Sequence, residues 1–271
     1  MNNLARLPHV RDELNAEGST ADDSMIVRAV ERASRFAESF TGRQFVATSG
    51  TVYAHRHPRA CPDELLLPED MATLTSVTVD DDGDDTYELT LAENTDFWIE
   101  REDDLDTNTP IVRLRLNPNG TQLSRWPTAR RSVKLIGLRG YSYELESSTL
   151  TTNEELDATE TDVTVSASAA SLIYPGDTIV VESEQMAVST VSTVTLTVVR
   201  GINGTTAATH DTAKTVYIRR YPRDVERVVS ADAARYMWWA SRGMMDQTSI
   251  MREPWPAIRD SLRNYKAWAV A

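Results

Sequence analysis

Residues 198–210 read VVRGINGTTAATH: an apolar run, then two glycines, an arginine, a Thr pair and a histidine. Two readings compete for this stretch. A loop that cradles a phosphate needs Lys and Ser or Thr directly after its last glycine, then a helix whose N-terminus faces the anion. Here Gly204 is followed by Thr205-Thr206 with no Lys, and the next patterned segment, 215–219, is TVYIR, which alternates as a strand does. Asn203-Gly204, by contrast, is a strong tight-turn dipeptide between β-rich runs. The stretch reads as a turn inside a β module.

Working outward, residues 163–219 hold no Trp or Phe and only two Tyr, and carry short Val- and Thr-rich runs. The runs at 163–165, 178–182, 187–191, 194–199 and 215–219 are the expected strands. Upstream, 144–162 is ELESSTLTTNEELDATETD, polar and acidic enough to read as a linker. Residues 144–219 are therefore expected to form a small all-β insert. Before it, apolar residues at Ile26, Ala29, Val30, Ala33, Phe36, Ala37 and Phe40 recur at helical spacing. Thr20 and Asp23 mark the start of that helix over 20–41, and Gly42 its C-cap. From 44 to 141 the period becomes two, with strands expected at 45–55, 74–79, 86–91, 96–101, 111–116 and 132–139. Asp82-Gly83 and Asn119-Gly120 supply turn signals between them. After the insert, 222–241 reads as a helix opened by Pro222. A last helix over about 254–268 places Trp255, Ile258, Leu262, Tyr265 and Trp268 on one stripe. The division this implies is one α+β domain from 1–143 and 220–271, interrupted by 144–219.

Composition narrows the classes of function. The net charge of −13 disfavours free binding to nucleic acid, which needs clustered cations. One cysteine, Cys61, allows no internal disulfide and fits a reducing compartment. Apolar runs such as 236–240 fall far short of a membrane span, and the start, MNNLARLPHV, has no signal-like apolar stretch. A soluble protein that works without a membrane is expected. Basic residues are 25 Arg against three Lys, a bias toward planar, multi-donor contacts.

Candidate chemistry is sparse. His55, His57 and Cys61 could offer at most three zinc ligands, with no fourth identified. The 80–85 run DDDGDD fails the EF-hand pattern, since Gly83 falls at the fourth position and Leu91 at the twelfth. GYSYE at 140–144 lacks the closing glycine of a nucleophile elbow. No catalytic residue, metal or cofactor is expected, and the chain does not read as an enzyme.

One resemblance covers much of the chain. ELNAEGSTADDSMIVRAVERASRFAESFTGRQF (13–45) resembles the opening of head–tail adaptor, or head-completion, proteins of tailed phages. LLLPEDMATLTSVTVDDDG, YELTLAENTDFWI, SVKLIGLRGYS and YPRDVERVVSADAARYMWW resemble later segments of that family, in the family's order. The insert departs from it, and its GD·I·V··E·M·V and V·RG·NGT·A··H patterns resemble a module found in assorted phage virion proteins. The resemblance implies an α+β fold, a helical bundle with a small antiparallel sheet, interrupted here by the all-β insert. It implies a structural adaptor in a dodecameric ring of identical copies at the virion neck, assembled in the host cytoplasm. The ring would lie between the portal protein and a stopper or tail-completion protein, with genomic DNA passing through unbound. Another neck or tail role (stopper, tail terminator, baseplate) is the alternative. Its C-terminal segment would reach the portal through Arg252, Trp255, Ile258, Arg259, Leu262, Arg263, Tyr265 and Trp268. Arg28, Glu31, Arg32, Arg35 and Glu38, on the polar face of the first helix, are the candidates for contacts between ring neighbours.

Overall fold

The computed structural model describes residues 2–14, 23–141, 144–169, 171–242 and 260–266. Two compact units emerge: Met1–Gly42 with Glu144–Trp268, and Arg43–Tyr143 with the last three residues. Residues 144–219 thus belong to the same unit as the helices on either side of them.

The sheet of the 43–143 unit contains β1 (Thr48–Ala54), β2 (Glu64–Val79), β3 (Leu89–Leu91), β4 (Phe97–Arg101), β5 (Ile111–Leu116) and β6 (Val133–Arg139). Its order is β1-β6-β2-β5-β4, with β3 also on β2, and every pairing is antiparallel. β2 is far longer than the expected 74–79. Its sequence ELLLPEDMATLTSVTV hides a strand around Pro68, which has no N–H for a ladder. The ladder accommodates it by a break: Leu66 pairs Arg113, the next pair to β5 is Met71 with Ile111, and the rest of β2 crosses to β6. Leu65, Met71, Val77, Leu114, Val133 and Leu135 face a core plugged by Trp126, which is fully buried. The indole Nε1 donates to Asp63 O at 2.9 Å, so burial leaves no polar atom of the ring unpaired.

The other unit carries β7 (Glu144–Thr151), β8 (Asp162–Thr164), β9 (Thr178–Val181), β10 (Glu184–Val191), β11 (Thr195–Val199) and β12 (Thr215–Arg220), in the order β7-β12-β9-β10-β11-β8. Val163, Ile179, Val181, Met186, Leu196, Val216 and Ile218 form its core. Part of the expected linker is strand. Glu144 to Thr151 lies on the sheet edge, burying Ser148 and Leu150 while most of its other side chains stay exposed or half-buried, so its polarity marks an edge strand. β7 pairs β12 from Glu144↔Arg220 to Thr151↔Thr215, which brings the two ends of 144–219 side by side.

Helices α1 (Leu7–Leu14), α2 (Asp23–Thr41) and α3 (Arg223–Arg242) belong to the same unit. α2 buries Ile26, Ala29, Val30, Ala33 and Ala37 of its expected stripe and packs on α3, while Phe36 and Phe40 stack on each other at 5.9 Å. Gly42 takes φ 71° and donates to Glu38 O, the left-handed C-cap expected of it. Thr20 lies outside the described residues. Buried Ser34 is satisfied twice, accepting from Leu4 N and donating to Val30 O. α3 starts after Pro222 as expected, and Glu226 reaches back to accept from Tyr221 N and the Arg220 guanidinium.

The expectation of a helical bundle with a small sheet is overturned. The chain is mostly two six-stranded antiparallel sheets. Helical periodicity was confined to short ends of the sequence, whereas Val- and Thr-rich alternation covered most of its middle. The bundle came from the resemblance, and the residue pattern already weighed toward sheet.

Candidate functional site

The 198–210 stretch folds into a densely bonded polar cluster. Asn203 and Gly204 take φ 55° and 73°, and Thr205 N donates to Ile202 O, the two-residue geometry that Asn-Gly favours. At its centre is Glu184, only 1% exposed. Its carboxylate accepts from Arg200 Nε (2.7 Å) and Nη2 (2.8 Å), from His210 Nε2 (2.9 Å), and from the amides of Gly201 and Ala208 (both 3.0 Å). Burial alone would raise the Glu184 pKa, but donors from Arg200, His210, Ala208 and Gly201 outweigh it and hold the group at about 2. Arg200 spends its remaining donors on the carbonyls of Asp157, Glu160 and Ala208. His210 is 2% exposed, with Nδ1 at 2.7 Å from Glu182. Both of its nitrogens are therefore committed to the chain's own groups, and the cluster acts as a clasp across β10, β11 and the loop before β12.

The turn also grips the N-terminal segment. Asn203 and Asn2 exchange amide hydrogen bonds at 2.6 and 3.0 Å, and Asn203 also donates to Gln185. The second signature turn, at Gly176-Asp177, meets the same segment. Arg6 donates twice to Asp177 (3.2 and 2.7 Å), reaches Leu172 O, and lies 5.4 Å over the Tyr174 ring. Burial pushes the Asp177 pKa up against the pull of Arg6. No sequence signal marked residues 2–6 as a docked strap, because the segment has no periodicity of its own.

In the 43–143 unit, the two motifs of the adaptor-like sequence meet. Arg43, from TGRQF, is 4% exposed and forks onto Glu102 at 2.7 and 2.9 Å. The same guanidinium lies 5.2 Å over the Tyr141 ring, from the Gly-Tyr pair, and Phe45 packs on that ring at 5.5 Å. Tyr141 N donates to Gln44 O at 2.8 Å. Asp70 stands 3.7 Å from Arg43, and its pKa is pushed up to about 6, first by burial and then by Glu102 and Glu69, against the pull of Arg43. A carboxyl raised in the folded state binds a proton that the unfolded chain has already lost. Stability from this group is therefore greatest below about pH 4 and declines as pH rises to about 6. Asp70→Asn should flatten that decline and gain roughly 1–2 kcal/mol at pH 7. Urea unfolding at pH 4, 5, 6 and 7 measures it, and an unchanged slope would count against the assignment.

The other candidates fall as follows. Arg32 lies 3.8 Å from Asp232 and 4.5 Å over Tyr236, joining α2 to α3. Arg35 pairs with Glu38 at 2.9 Å and reaches Asn2 O, while Arg28 donates to Ser24 O. Glu31 is half-buried on the same helix. Leu262 is fully buried, Arg263 is exposed and pairs with Asp260 at 3.1 Å, and Tyr265 is half-buried. Arg252, Trp255, Ile258, Arg259 and Trp268 lie outside the described residues. Asp80, Asp82 and Glu88 bring one carboxylate oxygen each within 4.8 Å. Both Asp80 oxygens already accept backbone amides, from Gly83 and Asp85. Comparison of the chain with protein-family models, curated proteins and solved structures finds no match.

Proposed function

We propose that this chain is a structural virion protein, an adaptor that assembles as a ring between the portal and the stopper or tail of a tailed virus. The observation that carries the reading is the meeting of TGRQF and Gly-Tyr, from opposite ends of the 43–143 unit. Arg43, Phe45 and Tyr141 pack on one another, so residues that carry the resemblance share one structural task. The polar clusters described above bond inward and tie segments of the chain together, as suits a part whose work is assembly. A chain of charge −13 is also compatible with DNA passing through a channel without being held.

The predominance of sheet favours a second reading, in which the chain serves elsewhere in the neck or tail. Mixing the purified protein with the portal ring of its virus separates the two. The adaptor reading expects a ring-on-ring complex by electron microscopy. Failure to bind the portal, with stable binding to a stopper or tail protein, transfers the assignment to the second reading.

A further inference from the structure

A ring needs two different, mutually complementary patches on each copy, and the 43–143 unit carries such a pair at opposite ends of β1 and β6. At one end, the β4–β5 loop carries Asp103, Asp104 and Asp106 around Leu105, which is 96% exposed. The loop is held rigid by its own bonds. Asp103 Oδ1 accepts from Leu105 N, Asp104 Oδ1 from Arg101 N, and the Thr109 hydroxyl donates to Asp106 O at 2.7 Å with Asp103 O close by at 2.9 Å. Leu105 alone is no apolar patch, so what the loop offers a partner is the fixed cluster of three carboxylates around it.

At the other end lie the segment after β1, HRHPRA (55–60), and the one before β6, RWPTARR (125–131). Neither contains an acid. Arg56 stitches them together, donating to Trp126 O on one side and to His57 O and Ala60 O on the other. Arg59, Arg125 and Arg130 are exposed beside that seam, while Arg131 is taken up by the Tyr53 ring at 4.0 Å, on the side bordered by the acidic 80–85 hairpin. In a chain of charge −13, Arg59, Arg125 and Arg130 face solvent together and make no ion pair among the described residues.

Resting on the ring reading above, we infer that neighbouring copies join head to tail through this unit. The acidic knob around Leu105 of one copy seats on the basic seam around Arg59, Arg125 and Arg130 of the next. The occupant is a second copy because the complementary charge is on the same chain, and opposite ends make the contact heterologous, so it repeats from copy to copy and closes where the rotation between copies allows. Charge complementarity of this kind sets orientation and suppresses wrong pairings.

Native Cys61, exposed and directly after the basic 55–60 segment, provides the test. Full-length L105C is treated with a short bis-maleimide at low salt, both alone and on the portal ring. The expected result is a ladder of trimers and longer products, with the 61–105 cross-link identified by mass spectrometry. The wild type, with one thiol, can give nothing beyond dimers. R125E/R130E in the L105C background should remove the ladder, as should 1 M salt. Absence of a ladder in both settings, or a ladder indifferent to R125E/R130E, overturns the inference. Rings on the portal without the ladder would leave the adaptor reading standing and place the ring contact elsewhere. A ladder without portal binding would do the reverse.

Discussion

Arg200→Ala is expected to destabilise the second sheet's unit by about 3–5 kcal/mol, the cost of leaving a buried carboxylate short of its main partner. Arg200 supplies two of the five donors to Glu184 and three more to carbonyls of the surrounding loops. His210 stays at Nε2, which places the effect in the lower half of that range. Changing Glu184 to Gln in the same chain removes the buried charge and should recover part of the loss, because its one amide oxygen can accept from only one of Gly201 N and Ala208 N, which bond different carboxylate oxygens. Hydrogen exchange localises the outcome: protection should fall across β10, β11 and the start of β12 and hold in the 43–143 sheet. The acid limb is a second readout. Glu184 sits at about 2 in the folded protein, below its ordinary 4.5. Its contribution is therefore present above about pH 4.5 and lost as pH falls toward 2. R200A should weaken that dependence. A loss below about 1 kcal/mol, with an unaltered acid limb, would mean that water replaces the guanidinium and the clasp is ornamental.

What could be read in the sequence was local. The Asn203-Gly204 turn, the α2 stripe with Gly42 behind it, and the opening of α3 at Pro222 each depend on neighbours within one turn of chain. Their signals survive without the fold. The start of β2 did not, because Pro68 suppresses a strand reading unless one knows that β5 and β6 divide the strand between them. β7 looked like linker because an edge strand with a wet face has the composition of a loop. The clasp was half legible. Arg200, Asn203, Gly204 and His210 stand together in one stretch of sequence, yet their partner Glu184 lies on β10, and only sheet pairing brings it to them. The strap at Asn2 and Arg6 was invisible for the same reason, as its partners Asn203 and Asp177 are distant in sequence. Helix-bundle architecture is what the resemblance implies, and it failed where the residues' own alternation was the better guide.

Gly140→Ala is the second large effect expected, about 3–5 kcal/mol from strain and overlap together. Gly140 takes φ 126°, a backbone state that side chains rarely adopt, and a Cβ there would fall 2.5 Å from Val46 O and 2.9 Å from its carbonyl carbon. Both atoms are backbone, so no side-chain rotation relieves the overlap. Relief would have to come from parting residues 46–47 from 140–141, the place where Tyr141 N bonds Gln44 O and Arg43 and Phe45 meet the Tyr141 ring. Gly83→Ala separates the two terms, because Gly83 has φ 87° and nothing within 4 Å of an added Cβ. That variant should cost about 1–2 kcal/mol from conformation alone. Chemical denaturation of both, followed by hydrogen exchange in the strands of the 43–143 sheet, makes the comparison within one unit. If G140A lost no more than G83A, close approach to Val46 would not be what demands glycine, and the Gly-Tyr pair would owe its place to Tyr141 alone. If the larger loss is found, the glycine is what lets the end of β6 close against residues 44–47, and the aromatic-guanidinium junction of Arg43, Phe45 and Tyr141 depends on a residue that itself contacts no side chain there.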